Sequence, residues 1–157
     1  MSDVNKEALA ESVFDNLCKT LDDREWNYKK HEEDFVVTFT ARGDDLPMDF
    51  VLAVDVDRQM LRLFSRLPFT VDEDKRMEMA IATCDASNRL ADGNFDYDIT
   101  TGKISFRMTT TFRNSVIGNE LFDYLIVTSF ITVDEFNDKF FALSKGVLSL
   151  EDFLNNE

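Results

Sequence analysis

The first pattern along the chain is that of an amphipathic helix over residues 3–22, with Ser2 as its N-cap. Its apolar positions follow the spacing of three and four residues that gathers side chains on one stripe of a helix. The stripe consists of Ala10, Val13, Phe14, Leu17 and Leu21. We expect this stripe to face the core.

The period changes to two after the first helix, which indicates β-strands. A short strand is predicted near residues 26–28, and another where Phe35, Val37 and Phe39 alternate with other side chains. A Gly- and Pro-containing loop at 42–47 leads to an alternating run over 48–56. A tight turn then leads to a strand over 60–67. The short turns between these strands favour antiparallel pairing.

The second half of the chain alternates helices with a hairpin. Thr70 and Glu73 form a capping-box pattern that predicts a helix over residues 71–91. On this helix one face is shared by Met77, Ala80, Ile81 and Cys84. The small residues in the same run suggest that the helix packs closely against a neighbour.

A hairpin over residues 94–99 and 103–112 has one apolar and one polar face on each strand. A long helix is predicted over 119–144, stopped by Gly146, and a short helix over 148–154. The sequence therefore predicts a single α+β domain spanning residues 1–157, with the order α-β-β-β-α-β-β-α and an antiparallel sheet.

The long helix carries two apolar stripes. The predicted core stripe consists of Leu121, Phe122, Leu125, Phe136, Phe140 and Leu143. On a different side lie Val127, Phe130 and Phe141, with Ile131 at the edge. A surface helix should be polar on that side. Either the helix over 3–22 covers this second stripe, or another protein does, and these four residues are the candidate interface.

The charge of the chain restricts its partners. Seventeen basic and 31 acidic residues give a net charge of −14 and a pI near 4.4. Such a surface repels phosphate backbones and anionic lipids, so we expect neither nucleic acid nor membrane as a partner, and a preference for basic proteins or peptides. No secretory signal is visible, and Cys18 and Cys84 form no metal or disulfide spacing. We predict a cytoplasmic protein in which both cysteines are buried.

Residues that could carry chemistry are few. The one histidine, His31, stands among acidic residues and is expected to be a solvated loop residue. Asp92, Asn94, Asp96 and Asp98 have the spacing of a calcium loop, but its sixth and twelfth positions hold the wrong residues, Tyr97 and Lys103. Period-two spacing places this run on the wet face of a strand instead. We expect no catalytic residue, no metal site and no cofactor.

Several short segments together, in their order and spacing, resemble the YbjN-like family over about residues 30–145. The segments are Leu61-Arg62-Leu63-Phe64-Ser65-Arg66-Leu67-Pro68, Val71-Asp72-Glu73, Asn88-Arg89-Leu90, Gly93-Asn94-Phe95-Asp96, Gly102-Lys103-Ile104 and Phe106-Arg107. The resemblance implies a small acidic bacterial cytoplasmic protein with the architecture of type III secretion chaperones. It implies no catalytic residues.

Two hypotheses of function follow. The first is a non-enzymatic protein-binding module, a homodimeric chaperone-like adaptor or regulator that holds a partner segment against a sheet edge or an apolar groove. The second is a small-molecule sensor with an apolar pocket between sheet and helices, lined by Phe and Met.

Overall fold

The computed structural model describes residues 3–155, so the predicted N-cap Ser2 lies outside the described residues. The elements in chain order are α1 (Asp3–Asp23), β1 (Lys29–His31), β2 (Val36–Arg42), β3 (Pro47–Asp55), β4 (Met60–Thr70), α2 (Arg76–Arg89), β5 (Asn94–Asp98), β6 (Lys103–Thr111), α3 (Asn119–Ser144) and α4 (Leu150–Asn155). Single 3-10 turns cover Glu32–Asp34 and Glu73–Lys75. The predicted α+β class and order of elements are confirmed.

The six strands form one antiparallel sheet with the order β1-β2-β3-β4-β6-β5. Successive hairpins join β1 to β4, and α2 connects β4 to the β5–β6 hairpin. The short strand that the sequence predicts at residues 26–28 lies three residues later, because Lys29–His31 pair with Val36–Thr38. Trp26 is not part of it: its ring packs edge-on against Phe39, with centroids 5.1 Å apart.

One face of the sheet is buried under the helices. Alternate residues of every strand from β2 to β6 belong to the core, and the predicted stripe of α1 is buried in full. Phenylalanine rings fill the space between β5, β6 and α3: Phe95 lies 5.0 Å from Phe140 and 5.4 Å from Phe136 between ring centroids. The sheet and helices therefore share one continuous core.

The bounds of α3 agree with the prediction, and five of its six predicted core residues are buried. Leu121 is the exception, with 38% of its surface exposed. It lies one position away from Phe122, in the first turn of the helix, and Phe122 and Leu125 fill that part of the core. The prediction for Leu121 was wrong, because neighbouring positions of a helix point in different directions.

The predicted capping box is absent, because Thr70 is the last residue of β4 and pairs with Lys103 of β6. The backbone N–H of Val71 donates to the carbonyl of Gly102 at 2.9 Å. Pairing with β6 thus extends β4 to a residue that the local pattern assigned to a helix cap. The helix α2 begins only at Arg76, after the 3-10 turn.

The buried side of α2 consists of Met79, Ala82, Thr83 and Ala86. The face predicted to pack closely is instead turned outward. Met77 is 69% and Ile81 50% exposed, and Cys84 is exposed as well, so the prediction of a buried Cys84 was wrong, whereas Cys18 is buried as predicted. The reason is tertiary: α2 lies along β5, where the Oγ of Ser87 accepts a hydrogen bond from the Phe95 N–H at 2.9 Å.

Candidate interaction surfaces

The four predicted interface residues of α3 have different surroundings in the structure. Val127 and Ile131 lie one turn apart and are 51% and 57% exposed, with exposed Tyr124 one turn before them. Phe130 is half-buried and packs against the core. Phe141, near the end of the helix, meets the ring of Phe69 with centroids 5.3 Å apart. We call Tyr124, Val127 and Ile131 the α3 stripe.

The helix α1 does not cover the α3 stripe. It packs beside α3, where Arg24 forms an ion pair with Asp123 at 2.5 Å. A narrow groove of about 50 Å³ separates the two helices, with Leu21 and Trp26 on one side and Ile126 and Val127 on the other. Of the two explanations that the sequence left open, internal burial by α1 therefore does not apply to Val127 and Ile131.

A second apolar surface lies on α2 and extends to α4. Its exposed members are Met77, Ile81 and Cys84, which follow one another at helical spacing, together with Leu154 of α4. These side chains line a shallow groove of about 550 Å³. We call them the α2 patch. The sequence showed this face, but not that it is exposed.

The sheet face opposite the helices is not covered by any described element, and we call it the open face. In an antiparallel sheet, directly paired residues project to the same face. One row across it consists of Lys29, Thr38, Val51, Phe64, Arg107 and Asn94. His31 also projects to this face, with its Nε2 3.5 Å from the Thr38 hydroxyl. It ends a strand and is not the loop residue that we predicted, because Val36 pairs with it.

Two carboxylates of the open face are bound by arginine. Arg107 binds Asp96 through its Nε at 2.6 Å and Nη2 at 3.1 Å, and Asn94 donates to the same carboxylate at 2.6 Å. The Arg107 contact keeps the pKa of Asp96 below its usual range. The backbone N–H of Arg58 donates to Asp55 at 3.0 Å and lowers the pKa of that carboxyl, with further contributions from the Arg58 and Arg62 guanidinium groups.

The run with calcium-loop spacing lies along β5, with Asn94, Asp96 and Asp98 on the wet side of the strand as predicted. The Asp98 carboxylate accepts from the backbone N–H of Thr100 at 2.9 Å and from the hydroxyl of Thr101 at 2.8 Å. These bonds lower the pKa of Asp98. Among residues 3–155 no group of three or more His, Cys, Asp or Glu side chains is arranged to hold a metal ion.

The sheet has a free edge beside β1. β1 pairs only with residues 36–38. Within residues 3–155, no strand therefore lies next to the backbone groups of Thr40 and Arg42 that point away from β3. A concave surface of about 540 Å³ adjoins this edge, between Tyr28 and Lys29 on one side and Asp49 and Val51 on the other. At the opposite edge, which is formed by β5, the backbone N–H of Phe95 donates a hydrogen bond to the hydroxyl of Ser87 in α2.

No protein-family profile matches the chain, and no curated protein matches it. A chain in the crystal structure of the ExsC-ExsE complex does match, with a TM-score of 0.60 and 14% identity. The match covers 83% of this chain and 94% of that one. The two chains share a fold. This likeness confirms the predicted type III secretion chaperone-like architecture, and membership of the YbjN-like family stays a prediction.

Among the described residues 3–155, no helix combines the length and the apolar character that a membrane span requires.

Proposed function

We propose that this chain is a non-enzymatic protein-binding module with a chaperone-like role, and that it acts as a homodimer in the bacterial cytoplasm. The match to one chain of a two-protein complex supports this class of function. The free thiols of Cys18 and Cys84 suit a reducing compartment. The YbjN-like segments of the sequence agree with this assignment.

The observation that carries the proposal is the outward position of large apolar side chains on two helices. Met77, Ile81, Val127 and Ile131 are each at least half exposed, although the core beneath them is closely packed. Exposed apolar side chains that gather in a patch are characteristic of surfaces that contact another protein. A monomer gains no stability from holding them in water.

The α2 patch is the surface that we assign to the homodimer. A twofold axis places the same patch on both sides of an interface, so an apolar patch is complementary to itself. Met77 and Ile81 would then be buried against their copies, and Leu154 would extend the contact.

The α3 stripe, together with half-buried Phe130 and with Phe141 further along the helix, is the surface that we assign to a partner segment. Its borders are acidic, since Asp134, Glu135 and Asp138 lie along the same helix. We therefore expect an apolar segment flanked by basic residues. Such a segment would place its apolar side chains on Val127 and Ile131.

Light scattering coupled to size exclusion tests the dimer. We expect the wild-type chain to be a dimer at micromolar concentration and Ile81→Asp to be a monomer, because the aspartate would be buried without a partner. Val147→Asp is the matched control: Val147 is 83% exposed and lies outside both surfaces, so this variant should stay dimeric. A monomeric wild type, or a dimeric Ile81→Asp, would contradict the assignment.

An affinity pull-down with mass spectrometry tests partner binding. The native chain, Ile131→Asp and Val147→Asp are used as baits in parallel. We expect at least one protein that the native chain and Val147→Asp retain and Ile131→Asp loses. If every captured protein binds all three baits equally, the α3 stripe is not the binding surface.

The alternative of a small-molecule sensor gains no support from the packing. The predicted pocket between sheet and helices would lie where the rings of Phe95, Phe136 and Phe140 are in contact. A concavity of about 450 Å³ lies between α2, α3 and α4, and it is bordered by the charged side chains of Arg89, Glu135 and Lys139 as well as by apolar ones.

A further inference from the structure

The charges of the chain are divided unequally between its two sides. The open face has six of the 17 basic residues and four of the 31 acidic ones, so it is net positive in a chain of net charge −14. The basic residues are Lys29, Arg42, Arg62, Arg66, Lys103 and Arg107, and the acidic ones are Asp49, Asp55, Asp96 and Asp98. The rest of the molecule is correspondingly more acidic than the total suggests.

The carboxylates of the open face are already bound within the chain. Asp55 and Asp96 are held by arginines and Asp98 by Thr100 and Thr101. The remaining one, Asp49, accepts a hydrogen bond from the Thr40 hydroxyl at 2.6 Å. Each of these four groups therefore already accepts a hydrogen bond within the chain, although Asp49 stands opposite Arg66 and Asp98 opposite Lys103 in the sheet.

Most basic side chains of the open face, unlike its carboxylates, have no partner within the described residues. Within residues 3–155, four of the six basic side chains make neither an ion pair nor a hydrogen bond. They are Lys29, Arg42, Arg66 and Lys103. In addition, the Nε of Arg62 is buried without an acceptor. The open face thus has donors for carboxylates that the chain itself does not supply.

The centre of the open face is apolar. Phe64 pairs with Val51, and Ala53 follows Val51 on the same side of β3. All three are half-buried, and no helix of the described part of the chain lies over them. Arg62 and Arg66 stand two positions before and after Phe64 on β4, and Arg107 is its direct neighbour on β6. An aromatic side chain surrounded by guanidinium groups presents both an apolar and a cationic contact.

We propose that the open face binds an acidic protein segment, whose apolar or aromatic side chain packs on Phe64 and Val51 and whose carboxylates bind Arg66 and the neighbouring free cations. The inference rests on the protein-binding function proposed above and adds a second partner surface with the opposite charge preference. The strongly acidic helix layer would repel a polyphosphate over long distances. A short peptide with a few carboxylates is repelled much less, so a protein segment fits this face better than nucleic acid.

The test begins with peptides selected from a phage-displayed random library on the immobilised full-length chain. The best binders are synthesised with a fluorophore and their affinity is measured by anisotropy. We expect peptides of net negative charge that contain an apolar or aromatic residue, with an affinity that falls as salt concentration rises.

Site-directed variants then locate the binding. Arg66→Glu reverses an exposed charge that makes no ion pair or hydrogen bond within residues 3–155, and it should weaken peptide binding by about tenfold or more. Because Arg66 stands opposite Asp49, circular dichroism is used to check that the variant remains folded. Lys19→Glu makes the same change of charge on α1, where Lys19 is exposed beside Asp23, and should leave the affinity unchanged. The Ile81→Asp variant should bind the peptides as the native chain does.

Three outcomes would overturn the proposal. The first is a selection that yields no acidic peptides. The second is acidic peptides whose affinity is the same in Arg66→Glu and in the native chain. The third is an oligothymidine that displaces the peptides and itself depends on Arg66, which would make the open face a nucleic-acid platform. Acidic peptides that bind through Arg66 to a monomeric chain would support the open face while contradicting the proposed homodimer.

Discussion

Asn137 offers the sharpest test of the packing in this structure. Its side chain is fully buried on α3, and within residues 3–155 neither its amide nitrogen nor its carbonyl oxygen has a hydrogen-bond partner. A buried amide without partners costs about 1–3 kcal/mol relative to one that is hydrated. Asparagine is also a poorer helix former than leucine, by roughly 0.5 kcal/mol. Both effects destabilise the native state.

The substitution Asn137→Leu removes both costs. Leucine has the same branched arrangement of heavy atoms, with two methyl groups where the amide nitrogen and oxygen stand, so the larger side chain causes little overpacking. Subtracting about 1 kcal/mol for that overpacking, we expect a net stabilisation of about 0.5–2.5 kcal/mol. For a chain of this size this raises the unfolding temperature by about 1–10 °C.

The measurement is urea unfolding followed by circular dichroism, with all variants at one protein concentration because the proposed dimerisation would contribute to apparent stability. Asn5→Leu is the control: Asn5 is exposed on α1, outside the α2 patch and the α3 stripe, and should gain at most the helix-propensity contribution. An Asn137→Leu chain that unfolds at a lower urea concentration than the wild type would refute the reasoning. It would show that the amide is satisfied in the native state, for example by a buried water.

Four further predictions concern the core, a surface ion pair, a turn and the thiols. Phe140→Ala should cost about 3–5 kcal/mol in urea unfolding, because Phe140 is fully buried among Phe95, Phe136 and Phe153; a loss below about 1 kcal/mol would contradict the described packing. Asp96→Asn should cost at most about 1 kcal/mol at neutral pH, since the pair with Arg107 is half exposed. The pKa of Asp96 is lower in the folded state than in the unfolded state. The stability difference between the wild type and Asp96→Asn should therefore be complete above the unfolded pKa of ~4 and vanish as the pH falls through the folded pKa. A stability difference that persists in strong acid would exclude the ion pair as its cause. Gly102→Ala should destabilise the hairpin by about 1–3 kcal/mol, because the residue has φ +71° and a Cβ would stand 2.5 Å from the carbonyl oxygen of Val71; unchanged thermal unfolding would argue against this turn. Native protein should react with a thiol reagent quickly at exposed Cys84 and slowly at Cys18, whose burial raises the pKa of its thiol; equal rates would contradict the burial of Cys18.

Patterns confined to one element predicted the structure well. The bounds of α3, the buried stripe of α1 and the wet side of β5 follow from periodicity, which depends only on how a helix or strand directs successive side chains. The same reasoning failed at Thr70, where pairing with Lys103 on a distant strand prevailed over a local capping pattern.

The candidate surfaces were harder to predict than the elements. The sequence showed that Val127 and Ile131 lie off the core stripe of α3, but whether α1 covers them depends on where that helix packs. It also showed the shared face of Met77 and Ile81 on α2. A helix with apolar residues on more than one side gives no local signal for which side the fold will bury.

The sequence by itself determined the class and order of the elements, the two faces of each strand and the total charge, because these are properties of local backbone geometry and composition. Only the tertiary structure decided how the charges are distributed. Arg107 stands beside Phe64 because β6 pairs with β4, and Lys29 joins the same row because β1 adds to β2. Strand order sets which side chains become neighbours, and composition contains no record of it.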